Sequence, residues 1–434
     1  MTRPTRRPRR PRAASRFPLE GLLIAVVALA GLLGALTGTT PTPPIVEPTP
    51  TPPLARPDPT PLASVPDSAA DFLPDAITLR DCLERDLLCV AQAWGNRAYR
   101  EGTAGVIADF RIAVETPGWF ADNCHRVAHV IGGASLARAE GAVGVAFANG
   151  DGICWSGYYH GILERAFRDV PSTDAATIGA AGRTFCLDPE VRRTPFLTYD
   201  CLHGLGHGFM LHTGYDLRAS IEACRIAGDP AAPVDEENCL TGVFMENLQT
   251  TYGAVSPWID PADPEYPCTV IRDAARRICY GMVGPMILQS TGMDFAAASE
   301  RCARLADPSA INPCYSSLGN SAVGGVSWEP APIAAACRAT GPGLLECAVG
   351  AALSLTAHYE DGRRSVPFCL ALDADPVIRS ACFEAVGIVL SDMSATEAEA
   401  RERCRAEGAL PAADLPACIA GTTRSMRPHP DSAP

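Results

Sequence analysis

Cysteine spacing constrains this chain more than any other feature. From Cys186 onward, fourteen of its 18 cysteines alternate between short and long gaps. Taken consecutively they pair Cys186 with Cys201, Cys224 with Cys239, Cys268 with Cys279, Cys302 with Cys314, Cys337 with Cys347, Cys369 with Cys382, and Cys404 with Cys418. Partners lie 10–15 residues apart, and the second members recur every 33–40 residues. Self-similarity at that pitch marks a repeat array whose single units cannot bury a core alone. A helix-forming segment precedes the first cysteine of each unit, as in Ala296–Cys302 and Ala395–Cys404. A breaker follows, often Asp-Pro: Asp188-Pro189, Asp229-Pro230, Asp307-Pro308, Asp375-Pro376. The second cysteine opens another apolar segment with an early glycine (Gly204, Gly242, Gly281, Gly350, Gly421). Proline cannot continue a helix, so the spacing predicts two helices per unit, joined by a loop that a disulfide closes. Closing a loop of ~10–15 residues contributes about 3 kcal/mol in the chain-entropy model.

The expected fold is therefore all-α: a disulfide-stapled α-solenoid of about seven to nine two-helix repeats over residues 75–420. Aromatics make up 6% of the chain against 47% hydrophobic residues. The core must then be mostly Ala, Leu, Val and Ile, which suits helices. In repeat length and two-helix form, residues 75–420 resemble the Sel-like and tetratricopeptide class of α-solenoids, in a cysteine-rich variant. That likeness implies stacked helix pairs and peptide binding. The four remaining cysteines follow another rule. Cys82 and Cys89 lie seven apart in an apparent helix from Leu79 to Trp94, which would separate their Cα atoms by roughly 10 Å and forbid a mutual bond. They are expected to reach Cys124 and Cys154 instead, in an order the spacing leaves open.

Eighteen cysteines without one C-x-x-C pair argue against zinc ribbons and for an oxidising compartment. The termini agree. Residues 1–20 carry seven arginines and one acid, Glu20, a net +6, so the net −13 of the whole chain leaves −19 for the rest. Between them, Gly21 to Leu36 is uninterruptedly apolar. At 1.5 Å per residue, 16 to 18 residues span roughly 24–27 Å, just enough for one membrane helix. Residues 21–38 are read as a transmembrane signal-anchor with the 1–20 tail cytoplasmic. A cleaved signal peptide is the alternative. Residues 39–67, rich in Thr-Pro steps, read as a disordered stalk, and 421–434 as a disordered tail. The expected location is the cell membrane, single-pass, with the repeat domain extracytoplasmic. Its net negative charge argues against a nucleic-acid partner.

Six of eight histidines fall between residues 125 and 212, in three cysteine-headed segments: Cys124-His125-Arg126-Val127-Ala128-His129, Cys154-Trp155-Ser156-Gly157-Tyr158-Tyr159-His160 and Cys201-Leu202-His203-Gly204-Leu205-Gly206-His207. His125 with His129, and His203 with His207, are i, i+4 pairs, and Glu164 follows His160 by four. Each pair thus projects from one helix face and can grip one metal. Aligned on their cysteines, His129, His160 and His207 form a row across neighbouring repeats, with His125, His203 and Glu164 beside it. Later repeats place Pro285, Asn320, Leu353 and Ile388 there, so the scaffold does not demand histidine. His125, His129, His160, Glu164, His203 and His207 are thus the candidate ligands of a divalent transition metal. Zn, Fe or Cu suits imidazole and carboxylate donors. Glu164 and Glu246 are the candidate bases should a metal-bound water react, as in a hydrolase or oxidase, and Tyr158 and Tyr159 are expected to line the same region. His212 is expected to be peripheral, and His358 and His429 superficial. The alternative function is a non-catalytic envelope scaffold that binds a protein or cell-wall polymer through the solenoid surface. No His-Glu-x-x-His, Walker loop, Gly-x-Ser-x-Gly elbow or dinucleotide fingerprint occurs.

Overall fold

The computed structural model describes residues 57–63, 68–116, 118–372 and 375–424. The basic tail 1–20, the apolar run 21–38, residues 39–56 and 64–67 of the stalk, and 425–434 with His429 lie outside the described residues. Among the described residues no helix is long and apolar enough to cross a membrane.

Twenty helices and no strand make up the described part of the chain. Ten of them follow the second cysteine of a pair, or its counterpart, into one inner row. They are α1 (Leu87–Glu101), α2 (Cys124–Arg138), α3 (Gly157–Ala166), α4 (Pro195–His212), α5 (Val234–Leu248), α6 (Asp273–Tyr280), α7 (Pro308–Gly325), α8 (Leu344–Tyr359), α9 (Pro376–Asp392) and α10 (Leu415–Gly421). Each packs on the next. Shorter helices such as Ala175–Cys186, Leu217–Ala227 and Pro330–Ala339 form an outer layer against it. The Asp-Pro steps at 307–308 and 375–376 start helices rather than stop them. Asp307 accepts from the Ser309 N–H and Asp375 from the Val377 N–H, with proline at the first helical position. An acidic cap satisfies an orphan N–H, and proline there loses no hydrogen bond.

Glycine sets the spacing of the inner row. Gly132 and Gly161 face each other between α2 and α3, Gly206 and Gly242 between α4 and α5, Gly319 and Gly350 between α7 and α8, Gly387 and Gly421 between α9 and α10. A Cβ added at any of these eight would lie 1.8–2.2 Å from a carbonyl oxygen of the facing helix. Only hydrogen fits, so these backbones touch directly. Of the early glycines that follow the second cysteines, Gly242, Gly350 and Gly421 make such contacts. Gly281 meets only backbone atoms of its own segment, and Gly204 meets the Leu163 side chain less tightly than Gly206 meets α5.

All 18 cysteines are paired, in nine bonds between consecutive cysteines with Cα–Cα distances of 5.4–6.0 Å. In the repeats, Cys186 bonds Cys201, Cys224 bonds Cys239, Cys268 bonds Cys279 and Cys302 bonds Cys314. The last three staples join Cys337 to Cys347, Cys369 to Cys382 and Cys404 to Cys418. The second member of each of these seven pairs (Cys201, Cys239, Cys279, Cys314, Cys347, Cys382 and Cys418) lies on an inner helix. The expectation for the first four cysteines is corrected: Cys82 bonds Cys89, and Cys124 bonds Cys154. The error lay in reading one helix from Leu79. Arg85 takes a left-handed conformation (φ 67°) and Asp86 caps the Cys89 N–H, so α1 begins at Leu87 and Cys82 folds back to within 5.5 Å of Cys89. One repeat departs from the common form. Between α5 and α6, residues 249–272 form an irregular segment with Cys268 in it, where other units carry an outer helix. At the start of the domain, the Asp58 carboxylate holds Arg218 (2.6 Å) and the Leu62 N–H donates to the Gly214 carbonyl. These two residues of the segment read as stalk thus lie against the helices.

The row curls until its early and late repeats meet. Trp328 donates its indole N–H to Asp122 (2.9 Å), Trp155 donates to Ser354 (3.2 Å), and the Gly152 N–H donates to Glu360 (2.7 Å). Arg111 pairs with both Asp151 and Glu360 across the same junction.

Candidate metal centre

Helices α2, α3 and α4 bring five imidazoles together. The contact between Gly132 and Gly161 presses α3 onto the His129 carbonyl, and Gly242 presses α5 onto the His203 carbonyl, so the close-packing residues and the histidines share the same turns. His129, His160, His203 and His207 are at most 3% exposed, and His125 is half-buried. His160 is central. Its ring centroid lies 5.3 and 5.2 Å from those of His125 and His129, and 4.9 and 4.4 Å from those of His203 and His207. Two sets of three can each place their ligand atoms within 4.8 Å of one another: His125, His129 and His160, and His160, His203 and His207. The aligned row His129, His160, His207 is thus divided, each outer member joining its i, i+4 neighbour on the same helix.

Four of the five histidines have Nδ1 held from behind. His125 Nδ1 lies 2.7 Å from the Cys154 carbonyl, which can only accept, so this nitrogen carries the proton and its Nε2 is a bare lone pair. Thr241 donates its hydroxyl to the Asn238 carbonyl (2.6 Å) and must therefore accept from His203 Nδ1 (2.7 Å). Glu246 accepts from the Tyr215 hydroxyl (2.6 Å), the Thr251 N–H (3.1 Å) and the Thr251 hydroxyl (2.6 Å), and from His207 Nδ1 (3.0 Å). Four donors fill the four acceptor sites of a carboxylate. His203, which burial keeps neutral, thus turns a bare Nε2 lone pair toward His207 Nε2 at 3.3 Å, a separation that a shared proton or a metal ion can bridge.

On α2 the same separation is 3.0 Å, between His129 Nε2 and His125 Nε2, with Glu164 Oε1 2.7 Å from His129 Nδ1. Burial pushes the Glu164 carboxyl well above the ordinary carboxylate range, against a hydrogen bond from Tyr252. Burial and the neighbouring His125 and His207 hold His129 well below the ordinary imidazole range. This pair is therefore neutral without metal. Glu164 donates its proton to His129 Nδ1, and His129 Nε2–H donates to His125. A proton occupies the position a metal would take between the two nitrogens. His160 and His203 are likewise kept neutral, by burial first and then by their charged-state repulsion with neighbouring histidines. His160 differs from the rest in one respect: neither of its buried ring nitrogens meets a hydrogen-bond partner in the protein.

Cys154, Trp155 and Ser156 all take left-handed backbone conformations (φ 59°, 52°, 60°) just before α3. Each costs roughly 1–2 kcal/mol for a residue with a side chain. This turn delivers the Cys154 carbonyl to His125 and sends Trp155 to the repeat junction. There Trp155 and Trp328 flank His358, with ring centroids 4.6 and 4.4 Å from it. His358 is buried, not superficial, and burial lowers it to about 3. His212 sits apart from the five and faces the Ser172 carbonyl (3.0 Å). Tyr158 and Tyr159 do not point into the cluster: the Tyr158 hydroxyl donates to the Ala146 carbonyl and meets the Ser135 hydroxyl (both 2.7 Å), and Tyr159 packs on Phe147. The tyrosines that do serve it, Tyr215 and Tyr252, escaped sequence reasoning. Tyr252 comes from the irregular 249–272 segment. Its one visible signal is a break in the repeat: no outer helix is written ahead of Cys268.

Comparison with known protein families, with curated proteins and with solved structures finds no match to this chain.

Proposed function

We propose that this is a membrane-anchored, extracytoplasmic helical repeat protein whose early repeats hold a histidine-ligated transition-metal centre for Zn, Cu or Fe. One observation carries the reading: five imidazoles, four of them buried, converge with their Nε2 atoms facing inward, and the central one, His160, has no protein partner for either nitrogen. Leaving buried polar groups unsatisfied costs about 1–3 kcal/mol each, and a bound cation removes that cost. With every cysteine in a disulfide, thiolate ligation is closed, and imidazole donors suit these three metals. Glu164 and Glu246 act from behind, fixing His129 and His207 and raising their basicity as ligands. Their oxygens are already engaged, so redox or oxidase chemistry on small molecules fits better than hydrolysis that needs a free base. His125, the one partly exposed member, marks the side of approach. A purely structural role, as in a scaffold, would supply each buried imidazole with partners, and His160 lacks them.

Nine disulfides and the run Gly21–Leu36 support the extracytoplasmic and membrane parts of the proposal. Elemental analysis of the oxidised full chain in detergent, beside an H129A/H160A/H207A variant, tests the centre: bound metal should be lost in the variant, and equal content in both would sink the reading. Deleting residues 1–38 from a chain exported by another signal should release it from membranes. Continued membrane retention would refute the anchor.

A further inference from the structure

Resting on the metal-centre reading, we propose that the site holds two metal ions that share His160, each ion bound by one of its ring nitrogens. His125, His129, His203 and His207 each offer only Nε2, since Nδ1 is engaged by Cys154, Glu164, Thr241 and Glu246. Those four atoms form two pairs, one per helix, separated by 3.0 Å on α2 and 3.3 Å on α4. Between the pairs the rings stand farther apart: His129 to His207 is 6.0 Å and His125 to His207 is 6.5 Å between centroids. One ion with bonds of ~2.0–2.1 Å cannot span both pairs without large movement. His160 lies in the gap and belongs to both groups of three. It alone has two uncommitted nitrogens, and an imidazole presents them on different edges of the ring. Each ion then has three nitrogen ligands and an open position. Two divalent ions displace two protons to water, the remaining ring proton of His160 and the Nε2 proton of His129, whose Nδ1 then takes the proton of Glu164 and leaves it a carboxylate; no electron moves. The carboxyls of Glu164 and Glu246 lie one layer out to offset the buried positive charge.

The full chain in detergent micelles is titrated with Cu²⁺ alone and, separately, with Zn²⁺ alone. The expected result is two equivalents per chain, with the isolated Cu²⁺ resonance lost to magnetic coupling once both sites fill. H203A should bind one equivalent, at the α2 side, with an uncoupled signal. H160A should lose the coupling whatever metal remains, and its disulfide map should match wild type. If H160A does not fold, the wild-type stoichiometry and coupling decide alone. One equivalent in wild type, or two that stay magnetically isolated, overturns the shared histidine while leaving a metal centre standing. No binding of either ion overturns both readings.

Discussion

Gly161→Ala puts a methyl group 1.8 Å from the His129 carbonyl oxygen and 2.5 Å from its carbonyl carbon. A carbon normally approaches such an oxygen no closer than ~3.3 Å, so α2 and α3 must part by roughly 1.5 Å. The neighbours are backbone atoms, which cannot rotate away as a side chain end would. Overpacking of this kind costs about 1–3 kcal/mol. At ~2.1 cal/mol/K per residue, a domain of about 350 residues shifts by ~1.4 °C per kcal/mol, so Tm should fall by roughly 1–4 °C. Metal binding should suffer more than folding, because metal–nitrogen distances tolerate only about ±0.2 Å and the shift separates His129 from His160. Gly105→Ala, in the helix Thr103–Val114 where a Cβ meets nothing within 4 Å, is the control. It should leave Tm unchanged or raise it by the ~1 kcal/mol that alanine gains over glycine in a helix. Calorimetry and metal analysis on both variants read the outcome. If Gly161→Ala matches Gly105→Ala in Tm and metal content, the close-contact argument is wrong.

Glu164→Gln should weaken metal binding about 10–100-fold, as loss of an outer-layer carboxylate does. The metal-free variant should be no less stable than wild type, because burial already disfavours that carboxylate; a competitive chelator titration beside urea melts checks both halves. The metal-free domain should also lose stability in acid. An unfolded histidine titrates near ~6.5, whereas burial lowers His358 to about 3 and His125 to about 4. Below about pH 6.5 the unfolded chain gains protons that the folded one refuses, so stability present above that pH drains away as pH falls toward about 4 and 3. Partial exposure makes His125's share the smaller, and a urea midpoint unchanged between about pH 7.5 and 4.5 would contradict the assignment. Non-reducing peptide mapping should recover Cys82–Cys89 and Cys124–Cys154, and a link from Cys82 to Cys124 would refute the early pairing.

Local signals made much of this legible. Cysteine alternation and Asp-Pro steps carry repeat pitch because each acts within its own unit, and i, i+4 histidines declare their helix face. The reach of those signals ends where distance in the chain begins. Tyr252 meets Glu164 across 88 residues, Trp328 meets Asp122 across 206, and His358 enters a pocket between Trp155 and Trp328 that curvature alone creates. Nothing periodic announces curvature. The Cys82–Cys89 error had a local cause: Arg85 adopts a left-handed turn that its residue type does not advertise, and the helix read through it began more than two turns too early.

Every disulfide joins a cysteine to the very next one in the chain, over 7 to 30 residues. A repeat domain translocated from its N-terminal end presents its thiols in that same order. An oxidant that simply couples each new thiol to the last one exposed would generate all nine native bonds, with no later reshuffling through mixed disulfides. Low sequence separation also keeps the entropy of each closure small. On the export route proposed above, maturation would proceed unit by unit and would need an oxidant but no isomerase.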